Sequence, residues 1–162
     1  MLQLPHTAGC LVCGPGNPHG LHLSLFVNPD TGVVQTTFKP GPNHIGFQGV
    51  IHGGILATVA DEAMVWAAIW ASRRACLAGE LNIRFKRKVT VDQSVHVTTS
   101  IIRWHSRLVE TDCKLSSDAG DLIATGTAKY VPQETDETSA FFQTLLEDPE
   151  TSVTADLLRR PR

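Results

Sequence analysis

The stretch GVIHGGILATVADEAM, residues 49–64, decides how this chain is read. From Gly53 to about Arg74, apolar residues recur at Ile55, Leu56, Val59, Ala60, Ala63, Met64, Ala67, Ala68 and Ala71, the spacing of an α-helix. Val65, Trp66, Ile69 and Trp70 extend the apolar surface around most of the circumference, so other structure must wrap the helix. Length and hydropathy alone would let residues 51–71 cross a bilayer. Asp61 and Glu62 sit at the centre of that run, however, and a central Asp costs roughly 2.5–3.5 kcal/mol on insertion. A buried helix of a soluble fold is the better reading, with no membrane partner.

The wrapping comes from segments on both sides. LHLSLFV at 21–27 and VVQTTF at 33–38 flank the turn NPDTG and read as a hairpin. After the helix, ELNIRFK at 80–86, SVHVTTSIIRW at 94–104, RLVETDCKL at 107–115 and DLIATGTAKYV at 121–131 each alternate or are rich in β-branched residues. Two strands, one buried helix and four antiparallel strands make an α+β fold. One helix cannot cover both faces of a flat sheet, so a curved antiparallel sheet of five to six strands around a central helix is expected. Residues 1–20 read as an arm or loop, 21–131 as the main domain, and 132–162 as an acidic tail with a structural or disordered role, in which TSAFFQTLLEDPE could form a short helix.

The chain has 162 residues, enough for one domain with a sizeable core. Its net charge is -2, but seven acids and three arginines fall in residues 133–162, leaving the rest mildly basic at +2. No strongly basic field marks a nucleic-acid partner. The opening MLQLPHTAGC lacks a basic segment followed by a long apolar run, so no secretory signal is expected and a cytoplasmic location follows. Cysteines at 10, 13, 76 and 113 are too few and too unevenly spaced for a disulfide framework and are expected as thiols.

His52, Gly53 and Gly54 stand at the mouth of the helix. Helix N-termini present unpaired N–H groups, and glycines let a carbonyl approach the backbone, so this is either an oxyanion site or an ordinary glycine-rich helix start. Asp61, on an almost wholly apolar helix, suits a general base or nucleophile. It and Glu62 point about 100° apart, so at most one of them faces a given cleft. Gly53 and Asp61 are separated by eight residues, roughly 12 Å along the axis. If both serve one reaction, two helices from two subunits must lie side by side, with two equivalent sites per symmetric dimer.

The helix-wrapped sheet order and the HGG-to-Asp spacing resemble the hotdog-fold acyl-CoA thioesterases of the PaaI-like, 4-hydroxybenzoyl-CoA thioesterase group. CLVCGPGNPHGLHL, GFQGVIHGGILATVADEAM and ELNIRFKRKV carry the resemblance over residues 10–131. It implies hydrolysis of an acyl-CoA thioester by a homodimer or dimer of dimers, with coenzyme A as part of the substrate and no separate cofactor or metal. The Gly53 N–H would polarise the thioester carbonyl, Asp61 of the facing subunit would attack it or activate water, and His52 would shape the loop. Two positions depart from the pattern. Ala78 stands where many relatives carry Ser or Thr, and Gly46 where some carry Asn; Asn43, His44, Gln48 and Glu62 are the candidate polar substitutes.

Gly54, Gln48, Glu62, Arg84 and Lys86 complete the expected substrate contacts. With Leu81, Ile83 and Phe85 inward, Arg84, Lys86 and Lys88 point outward to meet coenzyme A phosphates or simply water. Cys10, Cys13, His19 and His22 are legitimate zinc ligand types, but the loop between the pairs is shorter than the usual finger spacing. The alternative for them is a glycine-turned arm with two small thiols. Two other functions compete with hydrolysis: a non-catalytic module that binds acyl-CoA, and a hotdog enoyl-CoA hydratase or dehydratase using His44 or His52 with Asp61 or Glu62.

Overall fold

The apolar stretch forms one helix, α1 (Gly53–Ser72), in a computed structural model that describes residues 1–146 and 148–160. His52 caps its start, and at its end Arg73 turns left-handed (φ 57°) while its N–H bonds the Ile69 carbonyl at 2.8 Å. Leu56, Met64, Trp66 and Trp70 are among its buried residues. Each large side chain withdrawn from water contributes roughly 1.5–3 kcal/mol to stability, which holds this helix inside its sheet.

Among the described residues that sheet has seven strands, all paired antiparallel. In chain order the strands are β1 (Leu2–Gln3), β2 (Leu25–Val27), β3 (Val34–Phe38), the separate small hairpin β4 (Ile45–Phe47) and β5 (Val50–Ile51), then β6 (Cys76–Phe85), β7 (Val95–His105), β8 (Leu108–Ser116) and β9 (Leu122–Pro132). Their order in the large sheet is β1-β2-β3-β7-β8-β9-β6, and α1 packs across β3, β6, β7, β8 and β9. The fold is therefore α+β, a curved sheet around a central helix, with one strand more than expected. The additional strand is β1, whose two residues pair with Val27 and Phe26 and are too few to show any periodicity.

β6 occupies the end of the sheet with one edge unpaired. The face predicted inward is only partly covered here: Ile83 packs against the core and Phe85 lies over Gly53 of α1, but Leu81 and Phe85 remain 39% and 48% exposed, and Leu77 is 62% exposed. An edge strand lies at the limit of what one helix can cover, so both its faces reach solvent in a single protomer. β6 also stops at Phe85, where Lys86 N–H and Arg87 N–H converge on the Ile123 carbonyl at 2.8 and 3.1 Å. Lys86 and Lys88 thus lie in the following loop, not on an outward strand face.

The tail forms two helices, α2 (Thr135–Gln143) and α3 (Ser152–Arg159), the second unforeseen in the sequence; Glu147, Pro161 and Arg162 lie outside the described residues. Phe141 of α2 meets Trp66 with ring centroids 6.2 Å apart. Thr154 of α3 donates its hydroxyl to the Gln3 carbonyl, and His6 pairs with Asp148 at 2.9 Å. Tail and arm therefore brace each other against the body.

Candidate active site

The mouth of α1 is built by its flanking hairpin. Gln48 (φ 44°) and Gly49 (φ 78°) make the β4–β5 turn, the Ile51 N–H bonds the Val89 carbonyl at 2.8 Å, and the His52 N–H bonds the His44 carbonyl at 2.9 Å. So anchored, His52 turns its Nδ1 back to accept the Gly54 N–H at 2.9 Å. Among the described residues none accepts the Gly53 N–H. Of the two glycines, Gly53 keeps its donor for a ligand at the positive end of the helix, whereas the Gly54 donor is already used.

A cavity of about 340 Å³ opens at this point, walled by Gly53, Leu56, Phe85, Lys86, Arg87 and Lys88. Phe85 Cζ lies 3.3 Å from where a Gly53 side chain would begin. The cavity thus joins a free backbone donor, an aromatic wall and three cationic residues. A larger concavity of about 720 Å³ lies across β2, β3 and β7, remote from the HGG residues. Arg84 lines a different groove, with Asn82, Thr125 and Thr127. Gln48, exposed at the hairpin tip, makes no side-chain hydrogen bond among the described residues.

Asp61 is held by a residue the sequence did not single out. Its Oδ1 accepts the Tyr130 hydroxyl at 2.7 Å, and that hydroxyl also lies 3.1 Å from the Asp61 carbonyl oxygen. Tyr130 is fully buried; burial first, and its bond to Asp61 second, hold the phenol well above its usual range. Asp61 Oδ2 has no hydrogen-bond partner among the described residues. Ala78, the position lacking Ser or Thr, is the β6 partner of Tyr130 in the β9 register, so a hydroxyl reaches the carboxylate from the neighbouring strand. At Gly46 a Cβ would stand 3.0 Å from the His52 Cα, so the hairpin approaches His52 closely and a side chain there would require His52 to give by a few tenths of an ångström. Neither Asn43, which is exposed, nor His44, whose Nδ1 accepts the Gly41 N–H at 2.9 Å, reaches Asp61.

Glu62 faces away from the helix mouth, under the arm. It accepts the Trp66 indole N–H at 3.0 Å and lies 3.7 Å from Cys10 Sγ. Burial pushes its carboxyl up to about 7. Hydrogen bonds from the Cys13 thiol and from the Val12 and Cys13 backbone N–H groups bring the Cys10 thiol down to about 5, and the shared proton with burial pushes Cys13 up. His19 and His22 do not join this cluster: His22 Nε2 bonds the Asn17 carbonyl at 2.6 Å, and His19 is exposed. Trp66 and Trp70 are both buried in the core.

A curved antiparallel sheet cradling one central helix is the hotdog fold. Residues 48–124 match the family described as Thioesterase superfamily, and the resemblance drawn from the HGG stretch holds. Among curated relatives, acyl-coenzyme A thioesterase THEM4 of Bos taurus is 26% identical over 121 residues, covering 74% of this chain and 49% of its own length. The chain spans about half the length of the curated relatives it matches. Among solved structures, the Escherichia coli PaaI protein from the phenylacetic acid degradation operon superposes with TM-score 0.65 at 18% identity, covering 70% of this chain and 81% of that one. A hypothetical thioesterase protein with coenzyme A from Streptococcus pneumoniae gives TM-score 0.60 at 17% identity, covering 63% and 82%. These structural likenesses are of fold.

Proposed function

We propose that this chain is an acyl-CoA thioesterase, hydrolysing a thioester to the free acid and coenzyme A as a homodimer or dimer of dimers. The observation that carries this reading is the uncommitted Gly53 N–H at the positive end of α1, opening into a cavity walled by Lys86, Arg87 and Lys88. In that cavity the carbonyl oxygen of the thioester takes the Gly53 N–H and the cations face the coenzyme A phosphates. Similarity to relatives named acyl-coenzyme A thioesterases, and to a structure with coenzyme A, supports the substrate class.

Asp61 of the facing subunit supplies the second half of the site, because one helix separates its own Gly53 and Asp61 by roughly 12 Å. As a base, its free Oδ2 takes a proton from water while the water oxygen bonds the carbonyl carbon. The oxyanion rests on Gly53 N–H until collapse expels the coenzyme A thiolate, which takes up the proton. As a nucleophile, Oδ2 bonds the carbonyl carbon directly, the thiolate leaves, and water cleaves the resulting anhydride. In both routes Tyr130 fixes Oδ1. The open edge of β6, with Leu77, Leu81 and Phe85 exposed, is the surface proposed to meet the second subunit.

The test is thiol release, read with Ellman's reagent, from short, long and aromatic acyl-CoAs with the wild type and Asp61→Asn side by side. Turnover of at least one class, lost in the variant, is expected. Tight binding of intact acyl-CoA without turnover would instead make this a binding module, and water addition to crotonyl-CoA would make it a hydratase.

A further inference from the structure

We propose that Cys10, Cys13 and Glu62 form a binding site for a thiophilic divalent cation, with zinc the best chemical match, that staples the arm to the middle of α1. The three ligand atoms lie within 4.8 Å of one another, although residues 13 and 62 are far apart in the chain. No step of the proposed hydrolysis uses them.

The thiol end is a preformed knuckle with the sequence CLVCG at 10–14. Cys10 Sγ accepts the backbone N–H of Val12 at 3.3 Å and of Cys13 at 3.5 Å. Two N–H donors on one sulfur favour the thiolate, the form that ligates metal. The turn closes with the Gly14 N–H on the Cys10 carbonyl at 3.1 Å. It requires glycine, because a Cβ at Gly14 would stand 2.5 Å from both N and O of Cys10. The knuckle is held by the Leu21 N–H on the Leu11 carbonyl and the Leu23 N–H on the Val12 carbonyl, each at 2.8 Å. Cys13 is buried and Cys10 half-buried.

The carboxylate end completes the ligand set. Cys10 Sγ lies 3.7 and 3.9 Å from the two Glu62 oxygens. A tetrahedral zinc ion with bonds of roughly 2.3 Å to sulfur and roughly 2.1 Å to oxygen separates those ligand atoms by roughly 3.6 Å, so little movement is needed to seat it. Trp66 donates its indole N–H to Oε1 and orients the carboxylate, the outer-shell support that metal ligands generally have. Without a cation the buried cluster keeps a proton on Cys13; a bound divalent cation would replace that proton and balance two thiolates and a carboxylate beneath the arm. Sulfur ligands select zinc over magnesium or calcium, and the three-residue set leaves a fourth position for water.

The experiment is a titration of the full, reduced chain, stripped of metal by chelator, with cobalt(II) as the spectroscopic probe and zinc(II) as competitor. Expected are one cobalt per chain, a thiolate-to-cobalt charge-transfer band with intense tetrahedral d–d bands, and their displacement by one equivalent of zinc. Cys10→Ser and Cys13→Ser should each diminish the charge-transfer band, and Glu62→Gln should weaken binding by at least the roughly tenfold that loss of even an outer-shell partner costs. Zinc should raise the Tm of the wild type but not of Cys13→Ser. The wild-type titration needs no variant to fold: absence of a thiolate band at stoichiometric cobalt overturns the site. Affinity unchanged in Cys13→Ser or in Glu62→Gln overturns it equally.

Discussion

Asp61 and Glu62 are adjacent on one helix and belong to different parts of the molecule. The turn of about 100° between them sends Asp61 to Tyr130 on β9 and Glu62 under the arm to Cys10 and Trp66. The Asp61 face keeps one carboxylate oxygen available, and the proposed chemistry needs that freedom. The Glu62 face is occupied, with an indole on one oxygen and a thiol beside it. On an apolar helix, two neighbouring acids are read correctly only when their partners are known, because sequence gives their angle and not what stands opposite.

The sharpest break of this contrast is Asp61→Asn, expected to lower kcat on the order of 10²- to 10⁴-fold with an unchanged circular dichroism spectrum. Substitutions at Glu62 should instead appear in metal content and thermal stability. Next in size is Gly53→Pro. Proline suits the first position of a helix, and His52 already has the extended backbone (φ -62°, ψ 130°) that precedes proline well. The change deletes the free donor while keeping the helix, with Phe85 yielding slightly, and should lower kcat about 10²- to 10³-fold.

Tyr130→Phe sharpens the Asp61 side. Losing the hydroxyl should lower kcat about tenfold and reduce denaturant stability by about 1–3 kcal/mol, since a hydrogen bond to a charged group is lost. The smallest effect belongs to the cavity wall. Lys86→Ala and Lys88→Ala should each raise KM several-fold with kcat little changed, and the difference from wild type should shrink as salt is added, on the order of the usual screening of exposed charges.

The framework was legible because periodicity encodes it. The helix from Gly53 was evident from its apolar spacing, and β7, β8 and β9 from alternation bounded by short turns. β1 was not, since two residues carry no period, and α3 acquires its buried face from contact with the arm. Leu81 and Phe85 stay partly exposed on the face expected inward, because alternation marks the two faces of a strand but not its place in the sheet order. At the site, His52 and Gly53 could be read from HGG, since the cap and the free donor are local. Tyr130 is the chain's one tyrosine and sits on a strand already recognised, yet its reach to Asp61 depends on how β9 lies across α1. The partnership of Glu62 with Cys10 spans 52 positions, so no local pattern announces it. Arg84 and Lys86 looked equivalent in a continued strand, but β6 ends at Phe85 and only Lys86 reaches the helix-mouth cavity.

The central claim is that each site combines Gly53 of one subunit with Asp61 of the other, and subunit complementation tests it directly. Asp61→Asn and Gly53→Pro proteins are purified separately, mixed in equal amounts, allowed to exchange subunits, and assayed for thiol release. Each mixed dimer then holds one intact site, so activity should recover to about one quarter of the wild-type value, half the dimers being mixed and half their sites whole. Confirmed subunit exchange without recovery would contradict the account.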